Sequence, residues 1–357
     1  MSVLLNRIKA IFLLTGVVAS IALTACKHID EPSERPAHHA AKGFQNPYVG
    51  PIEKSPFTFL RMKYFGDEEF ADHSLEADLM PIIPGDLGRI QGPGDQPQIT
   101  WIGHSTFLIQ YKGISVLTDP IMSDRASPIS FAGPKRLVAL PIEQSQLPDI
   151  DYVIISHSHY DHLDSETILK FGPSTQYLVP LKLRSWFVDL GVPAENVQEF
   201  DWWQQANYGE LAVTATPSQH WSARGLFDRN ETLWAAWHLS IGDFSLWFAG
   251  DTGYNEIQFK EIGARFESID VALIPIGAYA PRWFMKDQHV NPEEAVQMHM
   301  DVGAKRSLGM HWGTFQLTAE KFFEPKERLA LALAERRLDP ESFSALSIGE
   351  IVEVANP

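Results

Sequence analysis

The stretch that decides the fold is DYVIISHSHYDH at residues 151–162. Its first half is a short apolar run of the kind that forms a buried strand. Its second half has the pattern His-x-His-x-Asp-His, with donors from His157, His159, Asp161 and His162. Donors that converge at the end of a strand can bind a divalent metal, and imidazole suits zinc. The pattern therefore predicts a zinc site, and the alternative is a polar turn whose histidines are solvated.

The composition is that of a globular protein with one large core or two ordinary ones. The chain has 357 residues, of which 45% are hydrophobic and 21% are charged. Its formal net charge is −16 at pH 7. Because such a surface repels phosphate backbones over long range, we do not expect nucleic acid as a partner.

The N-terminus is typical of an exported bacterial lipoprotein. Arg7 and Lys9 precede an apolar segment at residues 10–22, and LTAC at residues 23–26 matches a lipoprotein box. This predicts a signal peptide at residues 1–25 and lipidation of Cys26, and the residue after the cysteine favours the outer membrane, facing the periplasm. The alternative is an uncleaved N-terminal anchor. Because Cys26 is the only cysteine, every metal ligand must be His, Asp or Glu.

Three segments follow the signal peptide. Residues 26–56 are rich in proline, glycine and charge, which predicts a flexible tether. Residues 57–357 form the predicted catalytic domain, which begins with an irregular N-terminal extension to about residue 98. From there the apolar pattern predicts ten strands. They are residues 99–102, 106–111, 114–118, 152–156, 176–179, 211–216, 234–241, 245–249, 271–274 and 306–310.

Helical stretches alternate with these strands. Residues 164–171 and 320–336 are two predicted helices. A third begins at Asn291, which can cap it, because Pro292 suits the first helical position and Glu294 can close a capping box. Strands that end in ligand-rich turns before helices predict an α/β fold of two sheets covered by helices, with the site at the strand ends.

Further candidate ligands also follow strand-like runs. They are His220, Asp251 and His311. Each one alone is a weak signal, because a lone histidine after a strand is more often structural than a metal ligand. Asp119 follows another predicted strand and is a candidate acceptor for the second N–H of a ligand histidine, the alternative being a turn-forming aspartate before proline. His104 follows a glycine in a turn, and of its two alternatives, a place near the metals or a hydrogen-bonded structural role, the second is favoured.

Together these positions match the metallo-β-lactamase superfamily residue by residue. Longer stretches resemble one family within it, N-acylphosphatidylethanolamine-hydrolysing phospholipase D. They are WIGHST (101–106), LTDP (117–120), HSHYDHLD (157–164), QHWS (219–222), GDTGY (250–254), AYAPRWFM (278–285), HVNPEEA (289–295) and HWGTF (311–315). The resemblance covers about residue 57 to the C-terminus, and it implies a four-layer αββα sandwich.

The resemblance also implies a complete binuclear site. It gives two zinc ions per chain held by seven residues, namely His157, His159 and His220 for one ion, Asp161, His162 and His311 for the other, and Asp251 between them. Asp161, Asp251 and His289 would be catalytic, and a hydroxide that bridges the metals would be the nucleophile. Tyr279, Trp283 and His289 would contact the substrate, and a homodimer is suggested.

These expectations converge on a lipid-anchored, zinc-dependent phosphodiesterase. It would hydrolyse N-acylphosphatidylethanolamine to N-acylethanolamine and phosphatidic acid, with a phospholipid substrate and a membrane surface as its partners. One alternative is a lactonase or other small-molecule hydrolase, because the ligand cluster specifies an activated water and no particular substrate. The other alternative is a non-catalytic, lipid-binding envelope lipoprotein. In such a protein we would expect some of the metal-ligand positions to be occupied by residues that cannot bind a metal.

Overall fold

A computed structural model of the protein describes residues 35–52, 58, 61 and 70–355. The chain divides into two units, Met1–His39 and Ala40–Pro357. Of the first unit only residues 35–39 are described, so the predicted signal peptide and Cys26 lie outside the described residues. Within the described part of the chain, no helix is both long and apolar enough to cross a bilayer.

The second unit contains two sheets of seven strands each. In chain order the strands are β1 (Gln98–Gly103), β2 (Thr106–Tyr111), β3 (Ile114–Thr118), β4 (Tyr152–Ile154), β5 (Gln176–Pro180), β6 (Val197–Phe200), β7 (Gln205–Tyr208), β8 (Leu211–Thr216), β9 (Ala236–Ile241), β10 (Phe244–Phe248), β11 (Ile269–Pro275), β12 (Ala304–Met310), β13 (Phe343–Ala345) and β14 (Ile351–Glu353). The first sheet has the order β14-β1-β2-β3-β4-β5-β6, and the second has the order β13-β12-β11-β10-β9-β8-β7.

The strands that lead to the predicted ligands share one direction within each sheet. In the first sheet β3, β4, β5 and β6 pair in parallel. In the second, β10, β11 and β12 pair in parallel. Strand β8 has the same direction because β9 is antiparallel to both β8 and β10. The carboxyl ends of these strands therefore lie along one edge of each sheet.

Both faces of the first sheet are buried, which explains why its strands are apolar at nearly every position. Ile154 faces the second sheet and lies in the large core between the two sheets. Its neighbours Val153 and Ile155 point the opposite way, into a smaller core with Ile168 and Phe187. The alternation follows from the two-residue repeat of a strand, and it gives the predicted arrangement of two sheets covered by helices.

The α-helices that have both ends among the described residues are α1 (Leu87–Gln91), α2 (Ser165–Ile168), α3 (Arg184–Asp189), α4 (Gln258–Arg265), α5 (Arg282–Met285), α6 (Pro292–Val302) and α7 (Glu324–Arg336). The predicted capping box is confirmed at α6. Asn291 accepts a hydrogen bond from the Glu294 backbone N–H, and the Glu294 side chain accepts one from the Asn291 N–H. Helices α2 and α7 are shorter than predicted, since the residues after Ile168 and before Glu324 form turns.

Four strands are absent from the sequence prediction, namely β6, β7, β13 and β14. They are three or four residues long, and β7 has the polar sequence QANY at a sheet edge. Strand β14 pairs with β1, about 250 residues earlier in the chain, through Ile99 and Val352. Short strands defined by such distant partners leave little local pattern to detect.

The compact unit begins at Ala40, earlier than the predicted start at residue 57. Phe44 is buried in the large core. The Phe44 N–H donates to the Asn230 carbonyl at 2.8 Å, and Arg229 donates to the Ile52 carbonyl. Part of the segment predicted as a tether is therefore packed on the domain.

Candidate metal centre

The predicted ligands lie in the loops that leave the carboxyl ends of the strands. His157 follows β4 in the first sheet, while His220, Asp251 and His311 follow β8, β10 and β12 in the second. Gly250 allows the Asp251 loop to approach the first sheet. It has φ +57°, and a Cβ added there would lie 2.6 Å from the Ser156 Cβ.

Three histidines form the first group of the site. His157 Nε2 lies 2.8 Å from His159 Nδ1, and His220 Nε2 lies 3.3 Å from that same atom. The three nitrogens can all be reached from one point, as a metal requires. Burial lowers the pKa of His159 and of His220 to about 3. The imidazoles are therefore neutral, which is the form that binds a metal.

The second group surrounds the Asp161 carboxylate. Asp161 Oδ2 lies 3.4 Å from His162 Nε2 and 3.3 Å from His311 Nε2. Burial alone would lower the pKa of His311, but the adjacent Asp251 and Asp161 carboxylates outweigh it and raise the pKa to about 9. A divalent cation at this position would replace the proton as the partner of the carboxylates.

Asp251 lies between the two groups. Its Oδ2 is 3.1 Å from His162 Nε2 and 3.2 Å from His311 Nε2. It is also 3.8 Å from His220 Nε2 and 3.9 Å from His157 Nε2. One carboxylate thus faces both groups, as a bridging ligand would.

The donor set fits divalent cations. Among the described residues, the buried atoms that have no hydrogen-bond partner include His162 Nε2, His311 Nε2 and Asp251 Oδ1. A buried polar atom left unpaired costs about 1–3 kcal/mol. Imidazole nitrogens with carboxylate oxygens, and no sulphur, form a donor set suited to zinc and its neighbours in the first transition row.

Outer contacts fix which nitrogen of each ligand histidine faces inward. Asp119 Oδ2 accepts a hydrogen bond from His162 Nδ1 at 2.6 Å, which is the contact predicted for this aspartate. His220 Nδ1 donates to the Gln288 carbonyl at 2.9 Å. In both rings Nε2 is left free to act as a ligand.

His104 belongs to the site, although the sequence favoured a hydrogen-bonded structural role for it over a place near the metals. Its Nε2 lies 3.0 Å from Asp161 Oδ2, and its ring is 4.1 Å from that of His311. The residue has φ +53°, and its carbonyl accepts hydrogen bonds from the Trp101 indole and the His311 N–H. The available signal was the dipeptide Gly103-His104 between two predicted strands.

The three predicted substrate contacts have different surroundings. His289 is buried, its Nε2 is 3.8 Å from Asp251 Oδ2, and its ring lies 5.1 Å from that of His220. Trp283 is 62% exposed in the short helix α5. Tyr279 differs from the prediction because it is 1% exposed and its hydroxyl donates to Glu324, so it offers a substrate no open surface in this structure.

Two contacts at the site had no sequence signal. The Trp221 and His159 ring centres are 4.2 Å apart, and the Arg229 guanidinium lies 4.0 Å from the centre of the Trp221 ring. Asn46 donates to the His220 carbonyl from a point 174 residues earlier in the chain. Both contacts help to hold the loops that carry His159 and His220.

Comparison with known proteins identifies this arrangement. A family model described as a beta-lactamase superfamily domain matches residues 115–312, a range that includes all seven predicted ligands. The chain belongs to the beta-lactamase superfamily. The hydrolase fold of this superfamily implies a divalent metal, and the His and Asp clusters described above would hold it.

Several curated relatives are similar over most of the chain. The chain is 41% identical over 269 residues to N-acyl-phosphatidylethanolamine-hydrolyzing phospholipase D 1 of Caenorhabditis elegans, covering 72% of this chain and 76% of that protein. It is 39% identical over 244 residues to the mitochondrial protein of that name in Saccharomyces cerevisiae, covering 66% and 51%. An uncharacterized protein of Mycobacterium tuberculosis is 43% identical over 277 residues, covering 75% and 72%.

Solved structures share the superfamily fold. An isothiocyanate hydrolase from Delia radicum gut bacteria has a TM-score of 0.59 and 18% identity, covering 72% of this chain and 99% of that one. A metallo hydrolase from the archaeon Ignicoccus hospitalis has a TM-score of 0.55 and 20% identity, covering 72% and 98%. The predicted four-layer αββα fold is therefore confirmed.

Proposed function

We propose that this metal-dependent hydrolase is a phosphodiesterase of the phospholipase D type. It hydrolyses N-acylphosphatidylethanolamine to N-acylethanolamine and phosphatidic acid. The observation that carries the proposal is the 41% identity over 269 residues to the C. elegans protein named for this activity. The ligand cluster supports it, because all seven predicted ligands are present and lie together.

Two zinc ions would occupy the two groups of the site. One would be held by His157, His159 and His220, the other by Asp161, His162 and His311, with Asp251 in contact with both. When bound, the pair would activate a water molecule and offset the negative charge that develops on the phosphoryl group. Water would add to phosphorus, and the bond from phosphorus to the ethanolamine oxygen would break, with the proton passing to that oxygen.

His289 is placed to act on the phosphate or the leaving group. Burial lowers its pKa well below the usual range, despite the nearby Asp251 carboxylate. The ring is therefore neutral and has one N–H to donate. Its Nδ1 is buried and has no hydrogen-bond partner in the described part of the protein, so this nitrogen is available to a ligand. A hydrogen bond from His289 would orient the phosphate or support the departing oxygen.

The predicted location agrees with such a substrate. We propose that Cys26 is acylated and holds the domain at the outer membrane, facing the periplasm, where phospholipid headgroups are presented. A homodimer is a further proposal that rests on the family resemblance alone.

The test is to incubate the purified zinc-loaded protein with N-acylphosphatidylethanolamine and to identify the products by mass spectrometry. The expected products are N-acylethanolamine and phosphatidic acid, and both disappear in His159→Ala and Asp251→Asn. A parallel incubation with lactones addresses the alternative hydrolase. Lactone opening without phospholipid cleavage, or full activity in both variants, would overturn the proposal.

A further inference from the structure

Four large apolar side chains project into solvent from three loops. Phe227 is 91% exposed, Leu226 83%, Phe131 81% and Trp283 62%. Single exposed apolar residues are normal on protein surfaces, so exposure alone means little. The informative property of these four residues, which we call the loop rim, is their shared position in the fold.

All three loops leave the edge of the fold that carries the metal centre. Phe131 lies in the connection that follows β3, Leu226 and Phe227 in the one that follows β8, and Trp283 in the one that follows β11. These strands end at the same edges as β4, β10 and β12, and the loops that follow β4, β10 and β12 carry ligands of the metal centre. The loops that carry the loop rim therefore start at the edge of the fold that holds the site.

The loops are held in place by the guanidinium groups of Arg224 and Arg125. Arg224 donates to the carbonyls of Ser158 and Leu163 at 2.8 and 2.7 Å, which ties the Leu226–Phe227 turn to the metal-binding loop. Arg125 donates to the Ser130 and Gly133 carbonyls on either side of Phe131. The apolar side chains thus project from loops that are already ordered.

The chain that leads to the predicted lipid anchor joins the domain at this same rim. Lys42 forms a 2.7 Å ion pair with Glu231, and the Phe44 N–H donates to the Asn230 carbonyl, both just after the Leu226–Phe227 turn. Cys26 and Ala40 are 14 positions apart in the sequence. Such a segment spans at most about 50 Å when fully extended, so an acylated Cys26 would keep the start of the domain within that distance of the bilayer.

The charges beside the rim are mixed. Lys135 and Lys286 are exposed near Phe131 and Trp283, but so are the carboxylates of Asp124 and Asp287. The whole chain carries a formal charge of −16. Attraction to a strongly anionic surface is therefore not favoured, whereas apolar insertion into a zwitterionic surface is compatible with these charges.

From these observations we propose that the loop rim is a docking face for a zwitterionic phospholipid bilayer. Insertion of Phe131, Leu226 and Phe227 would bring the mouth of the metal centre against the headgroups. This inference rests on the proposed function, which supplies a lipid substrate. Beyond that function, the inference specifies the surface that faces the membrane and the side chains that enter it.

The single cysteine makes a direct test possible. The background is the full chain with Cys26→Ser, to which either Phe131→Cys or Phe227→Cys is added. The new cysteine is labelled with an environment-sensitive fluorophore, and the protein is mixed with phosphatidylcholine–phosphatidylethanolamine vesicles. Leu331→Cys is the matched control, because Leu331 is 63% exposed on helix α7 and outside the three loops. Flotation of the vesicles establishes how much protein is bound.

The expected result is a blue shift at positions 131 and 227, with quenching by brominated acyl chains, and no change at position 331. Phe131→Ser combined with Phe227→Ser should weaken vesicle binding at least about tenfold. Water-like emission from both labels on vesicle-bound protein would overturn the proposal, as would an absence of vesicle binding. A shift that appears without vesicles and grows with protein concentration would also overturn it, since a second copy would then cover the rim.

Hydrolysis of detergent-dispersed N-acylphosphatidylethanolamine separates the two proposals. If the labelled loops do not insert into vesicles but the protein still hydrolyses the dispersed substrate, only the docking face is overturned. Insertion without any hydrolysis by the unsubstituted protein would overturn only the proposed function.

Discussion

The Asp119 carboxylate lies 2.6 Å from Nδ1 of His162, and both side chains are fully buried. Ser156 donates to Asp119 from both its backbone N–H and its hydroxyl, so the carboxylate is itself fixed in orientation. Because the Nδ1–H donates outward to Asp119, Nε2 is the nitrogen that faces Asp161 and Asp251 and that would bind a metal. A residue that contacts no metal thus determines how His162 can bind one.

Asp119→Asn should weaken metal binding without changing the ligand set. The amide keeps the size of the side chain but removes the negative charge that orients His162. Loss of such an outer contact typically lowers metal affinity by about 10–100-fold. Competition with a chelator of known affinity measures the change, and Asp124→Asn, at an exposed position five residues later, is the control. Unchanged affinity in Asp119→Asn would show that this contact does not orient a ligand.

His104→Asn tests whether His104 supports Asp161. Asparagine tolerates the left-handed backbone found at this position better than most residues, but its side chain is too short to replace the imidazole that lies 3.0 Å from Asp161 Oδ2. We expect bound metal to fall from two ions towards one per chain after dialysis, as measured by elemental analysis. His299→Asn replaces a buried histidine of helix α6 and should retain both ions. Equal metal content in the two variants would contradict this role.

The stability of the protein should depend on the protonation of His238, which is not one of the candidate ligands. Its ring stacks on Phe266 at 3.7 Å in strand β9, and burial lowers its pKa to about 4. The unfolded chain takes up this proton near pH 6.5, whereas the folded protein takes it up only near pH 4. The stabilisation is therefore complete above about pH 6.5 and is lost as the pH falls to 4, with a slope of at most about 1.4 kcal/mol per pH unit.

His238→Phe keeps an aromatic ring against Phe266 but cannot titrate. The free energy of unfolding in urea should therefore fall less steeply between pH 6.5 and 4 than it does in the unsubstituted protein. The difference between the two slopes is the measured quantity, because all other titrating groups contribute to both proteins. Parallel slopes would show that His238 takes up its proton equally easily in the folded state.

Asn291→Ala should destabilise helix α6. The substitution removes the hydrogen bond to the Glu294 N–H, and the loss of such a cap costs about 1 kcal/mol. Asn291→Asp, which retains an acceptor oxygen, should remain close to the unsubstituted protein in urea unfolding. If both variants unfold at the same denaturant concentration, the capping interaction does not contribute as inferred.

The parts of the site that could be predicted from sequence depend on local spacing. His157, His159, Asp161 and His162 lie within eight residues of the end of strand β4, so a single loop places them together. Helix α6 was predictable for the same reason, since Asn291, Pro292 and Glu294 specify its start within four residues. The direction of the strands then brings His220, Asp251 and His311 to the same edge.

The parts that could not be predicted depend on distant partners. His104 reaches Asp161 because its backbone is held in a left-handed conformation by residues more than 200 positions later, including Thr314. Asn46 contacts His220 across 174 positions. Tyr279 is buried because its hydroxyl bonds to Glu324, 45 positions away. None of these contacts leaves a periodic pattern in the sequence.

The most direct test of the proposed chemistry is hydrolysis of N-acylphosphatidylethanolamine in ¹⁸O-labelled water by the zinc-loaded protein. Attack on phosphorus predicts that the label enters the phosphate of phosphatidic acid, while the released N-acylethanolamine stays unlabelled. Label in the N-acylethanolamine, or the absence of both products, would contradict a metal-dependent phosphodiesterase of the phospholipase D type.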